Sequence, residues 1–214
     1  MRNYLHTPSI SEFSVYATTE PAAAARIPQL GRGGKQFGME ASSFQQLGAN
    51  SVVWGKASYQ NGKKYDVMWN ETSDFLLLYP YVMGDAKGGD QNYESYRLDG
   101  GYSTRHGKTC YGVDLGYRTL SEYRDRDPRP NNTVADLYAQ GGIGLNIWGS
   151  YSVALTATAG KYKQTNELAF YNELGTQMVY HLTGIGNDFT RFSGQGKNCF
   201  YKGYSIGAEI SMAS

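Results

Sequence analysis

Two neighbouring stretches of sequence decide the fold: residues 136–148 read DLYAQGGIGLNIW and residues 151–160 read YSVALTATAG. In the first stretch, apolar residues and one glycine occupy the odd positions, whereas polar residues, glycines and the aromatic residues Tyr138 and Trp148 occupy the even positions. The second stretch alternates in the same way, with Val153 and Leu155 on its apolar side. Side chains along a β-strand point alternately to opposite faces, so both stretches are predicted to be strands with one apolar and one polar face.

The length of these alternating runs favours a membrane β-barrel. They extend over about ten residues, which is enough to cross a bilayer at a tilt, whereas strands of soluble proteins usually have about five or six. The mean hydropathy is −0.53, and no stretch approaches the ~18 uninterrupted apolar residues of a membrane helix. A barrel keeps a low mean hydropathy because only alternate residues face lipid. The 27 glycines and 19 tyrosines also suit a curved sheet with tyrosine at the membrane interfaces.

Composition argues against several other classes of protein. The net charge of +1 gives no support for a nucleic-acid partner. Cys110 and Cys199 are too few for a disulfide scaffold, and we expect both thiols to be unpaired. The three histidines accompany no nucleophile motif, and the sequence contains no CxxC, HExxH or phosphate-binding loop. We therefore expect no enzymatic activity, and no cofactor is indicated.

Turn and strand signals divide the chain into two parts. Residues 1–35 contain three prolines and a glycine-rich end, so they are predicted to form an irregular lead-in. Residues 36–214 are predicted to form a single domain of about nine or ten antiparallel strands connected in an up-and-down meander. Within this domain, Asn61-Gly62 predicts a hairpin turn, and the apolar run at 75–82 predicts a short strand.

Several motifs resemble a family of uncharacterised outer-membrane β-barrel proteins from Bacteroidetes. The resemblance covers about residues 36–214 and is most specific in the DPRP segment with its upstream YR. The motifs are WNE (69–71), LYPYV (78–82), DAKGGD (85–90), DGGYS (99–103) and YRTLSEYRDRDPRPNN (117–132). The resemblance implies a fold and a location in the outer membrane, but no mechanism and no site residues.

The same resemblance implies that this chain is the front portion of a longer protein. Family members have a signal peptide ahead of these motifs and further strands behind them. Residues 1–30 lack the basic-then-apolar pattern of a secretory signal, and the chain stops at Met212-Ala213-Ser214 rather than at a terminal aromatic. We therefore expect an incomplete portion of a larger transmembrane barrel.

Charged residues on the polar side of the predicted strands are candidates for the lining of a barrel lumen. In a wide barrel such residues line a water channel, and in a narrow one they pair with each other and fill the interior. Both arrangements are open at the level of sequence. The candidates are Lys56, Arg97, Asp99, Asp114, Arg118, Asp136 and Glu209.

A second candidate site is a compact cluster of mixed charge in the predicted loop 124–132. Two prolines stiffen this loop, so its side chains could receive a ligand carboxylate or a partner loop. Alternatively, arginine–aspartate pairs within the cluster fix a loop at the barrel rim. The cluster consists of Arg124, Asp125, Arg126, Asp127 and Arg129.

Two functions from different classes fit these patterns. The first is an outer-membrane β-barrel that serves as a passage or as an assembly component, with the lipid bilayer and other outer-membrane proteins as partners. The second is a soluble, secreted β-sandwich or lipocalin-like protein that binds carbohydrate or a small apolar ligand through its aromatic residues. The apolar faces mix Gly100, Ala139 and Ala157 with bulky residues, and this favours lipid over a packed second sheet.

Overall fold

The computed structural model describes residues 9–21, 27–148, 151–172 and 177–213. These residues form eleven strands, one 3-10 turn at Pro28–Leu30 and one short helix, α1, at Phe75–Leu78. The strands are β1 (Ser9–Glu20), β2 (Gly33–Leu47), β3 (Ser51–Val67), β4 (Met83–Asp85), β5 (Gly89–His106), β6 (Thr109–Tyr123), β7 (Arg129–Trp148), β8 (Tyr151–Ala169), β9 (Val179–Gly184), β10 (Asn187–Phe192) and β11 (Lys197–Ala213). No helix in the described ranges is long and apolar enough to cross a membrane.

The strands form two antiparallel sheets. The large sheet has eight strands in the order β1-β2-β3-β5-β6-β7-β8-β11, and the small sheet has the order β10-β9-β4. The strands of the large sheet follow their order in the chain. Between β3 and β5 the chain forms β4, and between β8 and β11 it forms the β9–β10 hairpin, and these three strands belong to the small sheet. The predicted all-β antiparallel meander is therefore confirmed. Among the described residues the large sheet is not closed, and β1 and β11 form its two edges.

Three local predictions were wrong. Part of the predicted lead-in, residues 9–20, forms strand β1, because its pairing with β2 adds a full ladder of backbone hydrogen bonds. The predicted hairpin at Asn61-Gly62 lies inside the continuous strand β3, where Tyr93 packs over Gly62. The run at 75–82 begins with α1 rather than a strand, and its last residues lead into β4.

The connections at the two ends of the large sheet differ in length. At one end, β2 joins β3 and β5 joins β6 through tight turns at 48–50 and 107–108. At the other end, longer segments leave the large sheet, including residues 68–88 and the segment that carries β9 and β10. We call these the short-turn end and the long-connection end.

The two faces of the large sheet have opposite surroundings. The apolar face is exposed: Leu98 is 58% and Leu115 55% accessible, although neither strand is at an edge. The polar face is partly covered by the segment 68–88 and the small sheet. A small apolar core of Met83, Leu168 and Val179 lies under this cover. The fold therefore buries polar residues and leaves its largest apolar surface uncovered.

Candidate functional site

The pairing register places all seven predicted lumen residues on the polar face of the large sheet. Arg97, Arg118 and Asp136 form one cross-strand row, and Lys56 and Asp99 form another. The alternation of side chains within each strand puts Asp114 and Glu209 on the same face.

Most of these charged residues contact an oppositely charged neighbour. Lys56 Nζ lies 2.7 Å from Glu40 Oε1, and Arg97 Nε lies 2.8 Å from Asp99 Oδ2. Asp114 differs, because its Oδ1 atom is buried and has no hydrogen-bond partner among the described residues. The middle of the polar face thus carries paired charges together with one carboxylate that is incompletely satisfied.

Residues 68–88, which we call the inserted segment, lie against the polar face near the long-connection end. The Asp74 carboxylate accepts hydrogen bonds from Arg118 at 2.6 Å and from the Tyr162 hydroxyl at 2.8 Å. The Glu71 carbonyl oxygen accepts hydrogen bonds from the side-chain amides of Asn132 and Asn166. Three strands, β6, β7 and β8, therefore hold this segment through side chains of their polar face.

The centre of this contact is a buried ion cluster of Arg124, Glu71 and Asp85. Arg124 Nη2 donates to Glu71 Oε1 at 2.8 Å and to Asp85 Oδ2 at 2.6 Å, and all three side chains are almost fully buried. The Arg124 guanidinium also donates to the Pro128 carbonyl oxygen, which ties the β6–β7 loop to the same cluster. Removing one partner of such a buried pair typically costs about 3–5 kcal/mol, because the other charge stays buried.

The two carboxyl groups of this cluster differ in protonation. Burial and a hydrogen bond with Asp85 raise the pKa of Glu71, and the attraction of Arg124 only partly offsets them. Burial also opposes ionisation of Asp85, but its hydrogen bond with Glu71 and the positive charge of Arg124 lower its pKa overall. The cluster is therefore an Arg124–Asp85 ion pair beside a Glu71 carboxyl that retains its proton above its ordinary pKa.

These shifts have opposite consequences for stability. A raised pKa in the folded state stabilises the fold below the ordinary value of 4.5, and this contribution is lost as pH rises through the raised pKa of Glu71. A lowered pKa stabilises the fold above the ordinary value of 3.8, and this contribution is lost as pH falls through the lowered pKa of Asp85.

The predicted rim cluster separates in the structure. Arg124 points into the buried cluster described above, whereas Arg129 pairs at the surface with Asp127, at 2.6 Å. The Asp127 carboxylate also accepts hydrogen bonds from the backbone N–H groups of Tyr171 and Asn172. The Asp125 carboxylate accepts a hydrogen bond from the side-chain amide of Asn92. The arginine–aspartate pairing that could fix this loop is thus present, although the strongest contacts of Arg124 are with residues outside the cluster.

Aromatic rings lie flat over glycines of neighbouring strands on the polar face. A Cβ atom at Gly116 would overlap the Tyr138 ring, and one at Gly38 would overlap the Tyr16 ring. A bulky ring can lie along the sheet only where the neighbouring residue has no side chain. Part of the high glycine and tyrosine content is explained by this packing.

The sequence did not reveal Glu71, Asp74 and Asp85 as partners of the predicted arginines. Glu71 and Asp85 lie in two of the motifs that carry the family resemblance, WNE and DAKGGD, and this was the available signal. Alternation could not identify them, because the inserted segment has almost no regular secondary structure. Their pairing with Arg118 and Arg124 depends on how this segment lies on the sheet.

The fold and its polar face define an all-β protein built on a long, exposed antiparallel sheet with an ion network on one side. The chain belongs to a family of unknown function (DUF6850), whose model matches residues 1–214. Neither the curated proteins nor the solved structures include a match to this chain.

Proposed function

We propose that this protein is an outer-membrane β-barrel component whose large sheet forms part of the barrel wall. The observation that carries this proposal is the inverted burial of the sheet: the protein's own inserted segment covers the polar face and leaves the apolar face exposed. A soluble sandwich or lipocalin-like barrel would bury its apolar face against a second sheet or around a ligand cavity. Lipid is the partner that fits a long, uncovered apolar face.

The dimensions of the apolar face support this assignment. On β7 it runs from Leu137 to Ile147. Ten residue steps of ~3.3 Å, at a strand tilt of about 40°, span roughly 25 Å, the height of a typical lipid-facing band. We call the equivalent surface across all eight strands the apolar band.

Aromatic and charged residues at the margins of the apolar band suit membrane interfaces. Tyr96 and Tyr117 lie on its long-connection side, and Tyr102 and Tyr111 lie on its short-turn side. Tyrosine is enriched at both interfaces of membrane barrels, where the ring meets hydrocarbon and the hydroxyl meets water. At and beyond the long-connection margin the same face becomes charged, with four lysines beside three acidic residues: Lys63, Lys161, Lys163, Lys202, Asp90, Glu94 and Glu167.

The unequal connections fit the same architecture. Bacterial barrels have short periplasmic turns and longer extracellular loops. In this proposal the turns at 48–50 and 107–108 face the periplasm, and the inserted segment lies at the outer end of the barrel interior. The resemblance to outer-membrane proteins of Bacteroidetes supports the same location.

The wall must contain more than the eight strands of the large sheet. The interior of an eight-stranded barrel is only wide enough for side chains. Here the polar face accommodates the inserted segment and the small sheet as well. Open edges cannot persist in hydrocarbon, so we propose that further strands pair along β1 and β11.

The role as a passage or as an assembly component depends on what the completed barrel encloses. The inserted segment covers the polar face near one end of the sheet. The ion pairs Arg97–Asp99 and Arg118–Asp136 lie on the same face. Such a lining suits polar solutes in water. Passage of small polar solutes is therefore the role that we test below.

Spin-label accessibility tests the membrane assignment. Leu115→Cys and Gln140→Cys place a label at the same depth on opposite faces, in a background without the two native cysteines. In vesicles, the Leu115 label should be accessible to oxygen and shielded from a water-soluble nickel chelate, and the Gln140 label should show the reverse. Equal exposure of both labels to the chelate would favour the soluble alternative.

The size of the assembled species tests the strand number. The intact chain, folded in detergent, is analysed by gel mobility with and without boiling and by native mass spectrometry. Assemblies of several copies would show that other copies supply the additional strands. A heat-modifiable monomer that resists trypsin from β2 to β11 would contradict a wall of more than eight strands.

A further inference from the structure

Three sulfur and nitrogen donors meet between the two sheets. Met83 lies on β4, His181 on β9 and Cys199 on β11, and Met83 and His181 are direct partners in the small sheet. His181 Nε2 lies 3.2 Å from Cys199 Sγ, and Cys199 Sγ lies 3.6 Å from Met83 Sδ. Neither the alternation of the strands nor the ion network requires these three side chains to meet.

We propose that Met83, His181 and Cys199 form a binding site for a single copper(I) ion. The donor set is a thioether, an imidazole and a thiol, and soft ligands of this kind select copper(I). We assume metal bonds of about 2.0 Å to nitrogen and 2.3 Å to sulfur. The 3.2 Å between His181 Nε2 and Cys199 Sγ and the 3.6 Å between Cys199 Sγ and Met83 Sδ then correspond to ligand–metal–ligand angles of roughly 100°. Small movements of the side chains would open these angles toward a trigonal arrangement.

The hydroxyl of Thr190 holds the imidazole of His181 in an orientation that suits metal binding. His181 Nδ1 lies 2.7 Å from Thr190 Oγ1. When Nδ1 carries the proton and donates it to this hydroxyl, Nε2 is unprotonated and presents its lone pair on the side of Cys199 Sγ. Metal-binding histidines commonly have their other ring nitrogen held in this way.

The surroundings of the site are apolar and contain few charges. The His181 ring stacks on Phe189 with a centroid distance of 5.0 Å, and Met83 packs in the core with Leu168. No group of three His, Cys, Asp or Glu side chains that could hold a metal occurs among the described residues, so an all-His/Cys/carboxylate zinc site is not available here.

The charge of the ion also favours copper(I). On binding, the Cys199 thiol loses its proton to solvent and a sulfur–copper bond forms, with no change in the oxidation state of the metal. A thiolate and a copper(I) ion are together neutral, whereas a divalent ion would leave a positive charge in this apolar site. Lys197, whose ammonium group lies 4.8 Å from the Phe192 ring, would oppose that additional charge.

Competition with a chromophoric copper(I) chelator under anaerobic conditions tests the proposal. The whole chain in detergent should take up one copper(I) ion per chain. Cys199→Ser and His181→Gln should weaken binding at least about 100-fold, and Thr190→Val about 10- to 100-fold. Cys110→Ser is the matched control, since Cys110 lies on β6, three strands away from β11 in the large sheet and near the short-turn end. This variant should leave affinity and stoichiometry unchanged.

Further measurements separate loss of the site from loss of the fold. Met83→Leu preserves the volume of the core, so this variant should retain the far-UV circular dichroism spectrum and the unfolding midpoint. The extended X-ray absorption fine structure of its bound copper should show one sulfur neighbour fewer. Unchanged affinity in Cys199→Ser, or zinc(II) binding as tight as copper(I) binding, would overturn the proposal. Because the site lies on the polar side of the sheet, either result leaves the membrane assignment unaffected.

Discussion

The substitution Leu115→Arg offers the most direct test of the apolar band. Leu115 lies on β6, near the centre of the large sheet, and its side chain projects from the apolar face with 55% of its surface accessible. It pairs across the strands with Gly100 and Ala139, and Ala139 is the second apolar-face residue of the band on β7, after Leu137. In a bilayer this position lies inside the hydrocarbon layer, between its midplane and the long-connection margin.

The expected loss of stability follows from that depth. An arginine on the lipid face costs about 2–4 kcal/mol at the midplane of a barrel and about 0–1 kcal/mol near the interfaces, so we expect a loss of about 1–3 kcal/mol at this depth. At ~1.4 kcal/mol per tenfold change, the folding equilibrium constant should fall by roughly 5- to 140-fold. In water the same substitution on an exposed strand surface would change stability by no more than about 0.5 kcal/mol and would improve solubility.

Gln140→Arg is the matched control for this substitution. Gln140 lies on the neighbouring strand, directly opposite Asp114, and projects from the polar face at nearly the same depth. The new guanidinium would lie beside a buried carboxylate, so we expect no more than a small loss of stability. The assay is reversible unfolding by denaturant of the protein in lipid vesicles, followed by tryptophan fluorescence. Equal unfolding midpoints for the two variants, or a more soluble and equally stable Leu115→Arg protein, would refute the reasoning.

Three further predictions concern the polar face. Gly116→Ala should lower the free energy of unfolding by about 1–3 kcal/mol, because the new methyl group would displace the Tyr138 ring. Gly112→Ala on the same strand should have little effect, since a methyl group there meets only ordinary contacts, and denaturant titrations compare the two variants. In the metal-free protein, Glu71→Gln should remove the decline in stability that sets in as pH rises above 4.5, the ordinary pKa of Glu71, toward its raised pKa in the fold. Asp85→Asn should cost about 3–5 kcal/mol, because Arg124 stays buried without this carboxylate. Unfolding midpoints measured from pH 4 to pH 9 would contradict this if Glu71→Gln were the more damaging. Asp74→Asn should weaken the attachment of the inserted segment to the sheet by about 1–3 kcal/mol. Its amides should then exchange hydrogen faster, and vesicles that contain the variant should be more permeable to small polar solutes. Unchanged permeability despite faster exchange would argue against a passage.

The sequence by itself determined most strands of the large sheet and the faces of their side chains. A period of two is a local property, because each residue's side follows from that of its neighbour. Residues 136–148 therefore identify β7, and the lumen candidates fall on one face without any knowledge of the sheet order. The strand at 9–20 was missed although Phe13 and Val15 alternate there with polar residues, because the prolines at 8, 21 and 28 favoured an irregular segment.

Only the tertiary structure decided what lies on the polar face. The partners of Arg118 and Arg124 come from the inserted segment, 39 to 53 residues away in the chain, and no periodicity relates them. The meeting of Met83, His181 and Cys199 requires a short strand and a separate hairpin to pack on β11, and their separation reaches 116 residues. Alternation specifies the direction of each side chain along one strand, but contacts between segments without a shared ladder depend on how the whole chain packs.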